Sequence, residues 1–318
     1  MINSPLAFLF PGQGSQSVGM GKDLYDRYPI ARATFDEADE ALGKKLSQLC
    51  FEGPEDQLKL TENTQPAILT VSVAALRVLE EKGIKPNFAA GHSLGEYSAH
   101  VAAGTITSAD AVRTVRNRGK YMQEAVPVGT GAMAAILGMG LDAVGEVCAA
   151  AAQGQVCEPA NINSPEQIVI SGDAAAVERG VKIAQDRGAR RAVLLPVSAP
   201  FHCSLMKPAQ ERLAADLQNL HCSAPGIPVI SNVYARPVKE AGAAREALIR
   251  QVTGSVRWSE SMQWLIEHGV QTFIEVGAGK VLSGLMRQID RSQKCLNTED
   301  DTSLQKSLEF LAAGSSAP

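Results

Sequence analysis

Apolar positions along the chain form short continuous runs separated by longer stretches with helical spacing. Leu6–Phe10 is a continuous apolar run, which predicts a buried strand. From Pro66 to Glu81 apolar residues recur at helical spacing, which predicts a largely buried helix with Pro66 in its first turn. A further helix is predicted over Ser108–Ala125. This alternation indicates an α/β fold, namely a large α/β-hydrolase-like domain with an open, mainly parallel sheet.

The middle of the chain follows a different order of elements. Its patterns predict the order βαββαβ, which is typical of a ferredoxin-like subdomain inserted into the larger unit. Two of its strands are expected to be joined by a turn over Asn163–Glu166. We therefore predict a large subdomain formed by 1–128 and 199–318, interrupted by a small one at 129–198. The predicted elements of the small subdomain are Ala132–Leu137, Leu141–Ala152, Gln155–Ile162, Gln167–Ser171, Ala174–Arg187 and Arg191–Val197.

Composition narrows the choice of partners. The chain has 318 residues, of which 45% are hydrophobic and 20% charged, and its formal net charge is −4. That charge argues against nucleic acid as a main partner. No apolar run approaches the ~20 residues of a membrane span. The first residues lack the cationic region of a signal peptide, and Gly314–Pro318 is expected to fray.

Cysteine and histidine positions give no sign of a metal site. The six cysteines are scattered without a C-x-x-C pair, a pattern typical of buried thiols in a reducing compartment. None of the five histidines has H-x-x-x-H spacing. We therefore expect a cytoplasmic protein without a metal or cofactor.

The stretch richest in chemistry is Gly91-His92-Ser93-Leu94-Gly95. A G-x-S-x-G segment between a strand and a helix forms a sharp turn that exposes the serine hydroxyl. Pro86–Ala90 is predicted to be that strand and Glu96–Ala103 that helix. The same turn points the Leu94 N–H at an oxyanion formed when Ser93 attacks a carbonyl. A glycine-rich turn without a catalytic role is the alternative, because the pattern also occurs by chance.

A serine nucleophile needs a base, and His202 is the preferred candidate. It stands in the loop Ser198–His202 after a predicted strand, whereas His92 should point away from the adjacent Ser93. No acidic residue of a triad is evident before His202, so a main-chain carbonyl is expected to orient the imidazole. That departure weakens an interpretation as a lipase or esterase. The other histidines suit packing or helix-end positions: His100, His221 and His268.

Arg118 is unusual because helical geometry puts it on the apolar face of the Ser108–Ala125 helix. The other basic residues of this helix cluster on the opposite face, which is expected to be solvated. A buried unpaired guanidinium is very costly, so Arg118 must bind an anion. Either an internal Asp or Glu or a substrate carboxylate would satisfy its two-nitrogen fork. The residues of the solvated face are Arg113, Arg116 and Lys120.

Two glycine-rich loops do not fit nucleotide-binding patterns. Pro11–Gly14 lacks the third glycine of G-x-G-x-x-G, and Gly277–Lys280 lacks the upstream glycine of a P-loop. Both are interpreted as tight turns above strand ends, and the first can lend a backbone N–H to an oxyanion hole.

Taken together, these motifs resemble the malonyl-CoA:acyl carrier protein transacylases of fatty acid synthesis. The resemblance spans nearly the whole chain and rests on the order of the motifs more than on any one of them. Its segments are Phe10–Gln16, Gly91–Glu96, Arg116–Gly119, Asn161–Pro165, Phe201–Cys203, Pro228–Val233, Val256–Trp258 and Glu275–Leu282.

The resemblance implies transfer of malonyl from malonyl-CoA to the phosphopantetheine thiol of acyl carrier protein through a serine ester, with ping-pong kinetics. It also implies roles for individual residues. Ser93 would be the nucleophile, and His202 would be its general base and then acid, oriented by the Gln251 carbonyl. The backbone N–H groups of Gln13 and Leu94 would form the oxyanion hole. Arg118 would bind the malonyl carboxylate, and Phe201 would select against a branched α-carbon.

Two other functions fit the same residues. A serine esterase or thioesterase would use the same elbow, and activity on simple esters without a thiol acceptor would indicate it. A non-enzymatic α/β binding protein would leave Ser93 unreactive. An acidic carrier protein is expected to dock on local positive charge. The candidate residues, which an ordinary solvated surface would also explain, are Arg187, Arg190, Arg191, Lys280 and Arg287.

Overall fold

A computed structural model of the chain describes residues 4–197 and 199–314, and its ten strands form two sheets. In chain order the strands are β1 (Leu6–Phe10), β2 (Phe88–Gly91), β3 (Gly131–Leu137), β4 (Cys157–Ser164), β5 (Gln167–Asp173), β6 (Arg191–Leu194), β7 (Val229–Ile230), β8 (Pro237–Val238), β9 (Thr272–Glu275) and β10 (Lys294–Asn297).

The larger sheet has six strands in the order β10-β9-β1-β2-β7-β8, and every pair except β7 with β8 is parallel. The smaller sheet is antiparallel, in the order β4-β5-β3-β6. With the helices after β3 and β5 it has the βαββαβ order of a ferredoxin-like unit. The predicted fold class is therefore confirmed. The segment boundaries at 128/129 and 198/199 stay a prediction.

Helices cover both sheets. In chain order they are α1 (Lys22–Arg27), α2 (Pro29–Leu42), α3 (Leu46–Glu52), α4 (Glu55–Lys59), α5 (Thr61–Glu81), α6 (Gly95–Ala102), α7 (Ser108–Ala125), α8 (Leu141–Ala152), α9 (Ala174–Asp186), α10 (Lys207–Asn219), α11 (Ala241–Gln251), α12 (Trp258–Glu267), α13 (Val281–Ile289) and α14 (Asp301–Gly314). Across the described ranges, none combines the length and hydrophobicity needed to cross a bilayer.

Strand β1 shows how the large sheet is packed. All its residues are buried, and successive side chains enter different clusters. Phe8 and Phe10 join the cluster that contains α5 and α7, whereas Ala7 and Leu9 pack with residues of α12 and α13. Both faces of the sheet are therefore covered, as parallel sheets require. Because β1 and β2 are adjacent and parallel, the loops that follow them meet at one edge of the sheet.

Three sequence predictions need correction. Helix α5 begins at Thr61, so Pro66 lies inside it and not in its first turn. Such a proline removes one backbone hydrogen bond, and burial of nearly the whole helix offsets the loss. Strand β4 extends to Ser164, so Asn163 lies on a strand and not in a turn. Helix α14 runs to Gly314, and the rest of the stretch expected to fray lies outside the described residues.

Candidate active site

Ser93 occupies a sharp turn between β2 and α6. Its φ of 51° lies in the left-handed region, which a serine adopts only where surroundings enforce it. A Cβ on Gly91 would lie 1.9 Å from the carbonyl group of Gly95, and a Cβ on Gly95 would lie 2.0 Å from the Phe10 oxygen. Both glycines are thus sterically required. The Ser93 N–H donates to Asn232 Oδ1 at 2.7 Å, which fixes the turn from the opposite side.

His202 contacts the serine directly. Its Nε2 lies 2.7 Å from Ser93 Oγ, and its Nδ1 lies 2.9 Å from the Gln251 carbonyl oxygen and 3.2 Å from that of Gly254. A carbonyl can only accept a hydrogen bond, so Nδ1 must carry the proton and Nε2 is left to accept from the serine hydroxyl. The imidazole is therefore held in the tautomer that a general base needs.

The electrostatics of the site favour neutral His202. Burial, and secondarily the nearby Arg118 charge, lower the pKa of His202 to about 3, against the stabilising effect of the two carbonyl acceptors. Because this lies below its ordinary value of ~6.5, the imidazole is unprotonated at neutral pH. It is therefore available to take a proton.

Arg118 reaches the same hydroxyl from α7. Its side chain is 2% exposed, and Nη2 donates to Ser93 Oγ at 3.0 Å. Its other hydrogen bonds go to side-chain amide oxygens, from Nη1 to Gln65 at 2.8 Å and from Nη2 to Gln251 at 3.0 Å. Among the described residues no carboxylate lies within ion-pair distance of Arg118, and its Nε has no partner. The internal Asp or Glu partner that the sequence allowed is absent from this part of the chain.

A cavity of about 130 Å³ lies above these three side chains. Gln13 and Leu94 line it, and within residues 4–197 and 199–314 neither backbone N–H donates to a protein acceptor. Phe201, 8% exposed, also lines the cavity. The remaining lining residues are Gln65, His92, Met122, Met133, Asn161, Leu195 and Val197.

The structure adds polar residues that the sequence analysis did not single out. Gln65 binds Arg118, Asn232 binds the Ser93 N–H, and the buried Glu96 accepts from Gln251 and Asn232. Gln65 stands directly before Pro66 in the largely buried α5, a position that does not by itself indicate its partner. Asn232 and Glu96 lie inside motifs noted for the resemblance, but only their partners, which are distant in sequence, reveal their roles.

Several other predictions can be compared with the structure. His92 Nε2 lies 2.8 Å from Asn163 Oδ1, although His92 also lines the cavity. His100 is packed, with Nδ1 3.2 Å from Thr105 Oγ1. The prediction that Arg116 is solvated is only partly right, because one of its guanidinium nitrogens is buried without a partner.

The next question is whether the described residues contain a metal-binding cluster or a disulfide. Over the described ranges there is no group of three or more His, Cys, Asp or Glu side chains arranged to hold a metal ion. All six cysteines are free.

Comparison with known proteins shows the family of the chain. Residues 7–304 match the model of the acyl transferase domain family. The malonyl CoA-acyl carrier protein transacylase of Bacillus subtilis is 51% identical over 309 residues, which cover 97% of this chain and 98% of that protein.

Solved structures agree. The malonyl CoA-acyl carrier protein transacylase of Coxiella burnetii superposes with a TM-score of 0.96 at 44% identity over 98% of each chain. A malonyl-transacylase in complex with the holo form of its type II PKS acyl-carrier protein superposes with a TM-score of 0.94 at 46% identity, covering 96% of this chain and all (100%) of that one.

Proposed function

The chain belongs to the acyl transferase domain family, and from this membership we propose that it is a malonyl-CoA:acyl carrier protein S-malonyltransferase that supplies fatty acid synthesis. One observation carries the choice of acyl group. Arg118 Nη2 lies 3.0 Å from Ser93 Oγ beside the cavity of about 130 Å³, and the hydrogen-bond partners of the guanidinium are all neutral. A donor whose acyl group ends in a carboxylate satisfies both the nucleophile and the cation.

The first half of the reaction acylates the serine. Ser93 Oγ gives its proton to His202 Nε2 and attacks the malonyl thioester carbonyl. The oxyanion is bound by the backbone N–H groups of Gln13 and Leu94, each such donor being worth about 3 kcal/mol in comparable sites. The tetrahedral intermediate then collapses, the C–S bond breaks, and the CoA thiolate leaves with the proton from His202.

The second half transfers the group to the carrier protein. The phosphopantetheine thiol loses its proton to His202 and attacks the ester carbonyl in the same oxyanion site. Ser93 leaves and takes the proton back, which restores the free enzyme. The Gln251 carbonyl keeps His202 in one tautomer throughout, in place of a triad acid.

Substrate selection follows from the lining of the cavity. Arg118 binds the malonyl carboxylate through its fork. Phe201 crowds the α-carbon and disfavours a methyl branch. No cofactor is required, because the thioester is already activated.

The setting of the enzyme is part of the same proposal. We assign it to the cytoplasm, in keeping with six free thiols. Its large unit comprises residues 1–128 and 199–318, and its ferredoxin-like unit comprises 129–198.

Mass spectrometry after brief exposure to acyl-CoAs tests this function. Malonyl-CoA should add one malonyl group, located on the Ser93 peptide, and added holo carrier protein should remove it. Ser93→Ala should carry no label, and initial-rate lines should be parallel. Intersecting lines without a labelled peptide would refute the proposal. Rapid hydrolysis of simple esters without a thiol acceptor would indicate the esterase instead.

A further inference from the structure

A buried carboxylate lies behind the active site and contacts none of the reacting atoms. Glu96 is 0% exposed, and its Oε2 accepts from Gln251 Nε2 at 2.7 Å and from the Asn232 backbone N–H at 3.1 Å. Its other oxygen, Oε1, has no hydrogen-bond partner. Burying a carboxylate is costly, and the malonyl transfer proposed above uses Glu96 in no step. Its position therefore calls for an explanation.

Gln251 connects Glu96 to the catalytic residues. Its Oε1 accepts from Arg118 Nη2 at 3.0 Å, and its Nε2 donates to the Ser93 carbonyl at 2.8 Å as well as to Glu96. The two hydrogens of this amide nitrogen are thus fully used, and its oxygen faces a cation. All three side chains are buried. A hydrogen-bonded path therefore runs from Glu96 through one amide to Arg118.

An amide is nearly symmetric in shape, so its orientation is decided by its partners. If the Gln251 amide turned over, its NH₂ group would face the guanidinium donors of Arg118 and its oxygen would face the Ser93 carbonyl and Glu96. The Glu96 carboxyl oxygen is an acceptor that the oxygen of a turned-over amide could not bond, and when Glu96 is ionised this hydrogen bond is about twice as strong as a neutral one. Glu96 therefore opposes that rotation.

The amide also keeps two charges apart. A carboxylate in direct contact with Arg118 would occupy the fork that the substrate needs. Gln251 lies between them, so Glu96 offsets the buried positive charge without touching Arg118. Arg118 Nη2 therefore stays directed at Ser93 Oγ.

We propose that Glu96 is a positioning residue that orients the Gln251 amide, and through it the Arg118 guanidinium, for a substrate carboxylate. This inference rests on the proposed function, because it presumes that Arg118 binds the malonyl group. It predicts an effect on the choice between acyl donors, which a merely structural carboxylate would not produce.

Two conservative variants distinguish the effect of the length of the Glu96 side chain from the effect of its charge. Glu96→Gln keeps the length of the side chain and loses the charge. Its oxygen can replace Oε2, and its NH₂ group replaces the unpartnered Oε1. Glu96→Asp keeps the charge but withdraws the acceptor by about one C–C bond, ~1.5 Å, out of reach of Gln251. Single-turnover acylation of Ser93 by malonyl-CoA and by acetyl-CoA is measured for each variant, with thermal unfolding as the test of folding.

Because misplacement of a binding group by 1 Å can cost about 10²-fold in rate, Glu96→Asp should lower the malonyl-to-acetyl preference by about tenfold or more. Glu96→Gln should keep it within about threefold. Equal losses on both donors, an unchanged preference in Glu96→Asp, or a larger loss in Glu96→Gln than in Glu96→Asp would each overturn the proposal.

The single variant Arg118→Ala tests the proposed role of Arg118 independently of the inference about Glu96. If Arg118→Ala keeps the malonyl preference, the proposed role of Arg118 is wrong whatever Glu96 does. If it abolishes the preference while Glu96→Asp preserves it, only the inference about Glu96 fails. In the double variant, Glu96→Asp should change the preference no further.

Discussion

Among single residues, Arg118 combines a full charge with neutral partners. Burial lowers the pKa of Arg118, yet a guanidinium stays protonated in proteins. Its cost of burial is offset by oxygens of Gln65, Ser93 and Gln251 and by the Tyr97 ring, whose centroid lies 5.7 Å from the guanidinium carbon. None of these partners cancels the charge. The residue therefore retains a strong attraction for a carboxylate.

Replacing Arg118 with alanine should change the specificity of the enzyme. A hydrogen bond to a charged group is worth about 1.5–3 kcal/mol, so kcat/KM for malonyl-CoA should fall by about 10- to 10²-fold. Acylation by acetyl-CoA, which has no carboxylate, should fall much less. The matched control is Lys120→Ala on the exposed face of the same helix, which should leave both rates unchanged. Equal losses on both donors would mean that Arg118 is structural.

The burial of His202 determines how the reactivity of Ser93 should depend on pH. A base reacts when it is unprotonated, and a pKa of about 3 keeps His202 neutral far into the acid range. Inactivation of Ser93 by a serine-directed inhibitor should therefore stay nearly constant from pH 8 to about pH 5, whereas an ordinary histidine would lose half its activity near pH 6.5.

Glu96, next to the site, does titrate in this range. Burial raises its pKa to about 7, against the effects of Gln251, Asn232 and Arg118. The inactivation profile should therefore be repeated with Glu96→Gln, which lacks that titration. A midpoint near pH 6.5 in both proteins would show that the pKa of His202 is not depressed.

Secondary-structure elements determine how closely the catalytic loops approach each other. Gly95 opens α6 directly against the end of β1, and Gly12 lies against the His92 carbonyl, where a Cβ would come within 2.4 Å. The loop after β1 and the turn after β2 are thus in backbone contact. This contact brings the Gln13 and Leu94 amides to the same cavity.

An added methyl group at this contact should be poorly tolerated. In Gly95→Ala the new Cβ would meet the Phe10 carbonyl oxygen at 2.0 Å, and backbone atoms cannot move aside cheaply. Urea unfolding should show a loss of about 3 kcal/mol, the upper range for overpacking, together with loss of Ser93 acylation. In the control Gly145→Ala, on α8, the Cβ meets open space. That variant should gain about 0.5–1 kcal/mol. Equal stabilities of the two variants would contradict the steric argument.

The sequence predicts elements well where one local rule dominates. Helix α7 has the predicted bounds, because its apolar face is regular and Thr107 caps its start. Helix α5 was predicted too short, since a proline usually marks a first turn and tertiary burial overrode that rule. The half-exposed β10 was not predicted at all, because it lacks the apolar alternation of a strand.

The same distinction applies to the site. Ser93 and Arg118 are detectable from a turn motif and a helical face, which are local patterns. The partners Gln65, Asn163 and Asn232 are joined to the site only by folding, across separations such as the 139 residues between Ser93 and Asn232. No local pattern carries that information.

On the scale of the whole molecule, the cavity lies where the two sheets meet. Ser93 follows the large sheet, whereas Met133 and Asn161 stand on strands of the small one. Val256 links them, because its N–H donates to the Ala160 carbonyl at 2.8 Å and its carbonyl accepts from the Ile162 N–H at 2.9 Å. Residues that follow or stand on strands of both sheets therefore line the cavity.

We expect the acidic carrier protein to dock on a basic surface of the enzyme. Of the basic candidates, Arg187 and Lys280 already pair with Glu146 and Glu299. Arg190 and Arg191 are exposed and have no ion-pair partner in the described residues. Reversing both charges should raise KM for the carrier protein about tenfold at low salt, and the effect should shrink as salt is added.

A control pair makes the same change in net charge elsewhere. Lys45→Glu with Lys59→Glu alters side chains that are 76% and 61% exposed and should leave that KM unchanged. An unaltered KM in the Arg190 and Arg191 variant would remove this surface from consideration.

The main-chain carbonyls behind His202 have a chemical consequence. They orient the ring but supply no full negative charge to stabilise the imidazolium. In hydrolases that cleave amides, an aspartate supplies that charge. Thiols ionise near pH 8.5, so a sulfur departs with little assistance, whereas a nitrogen must be protonated first. An enzyme built this way can exchange acyl groups between thiols in a cell crowded with polypeptides and leave their backbones intact.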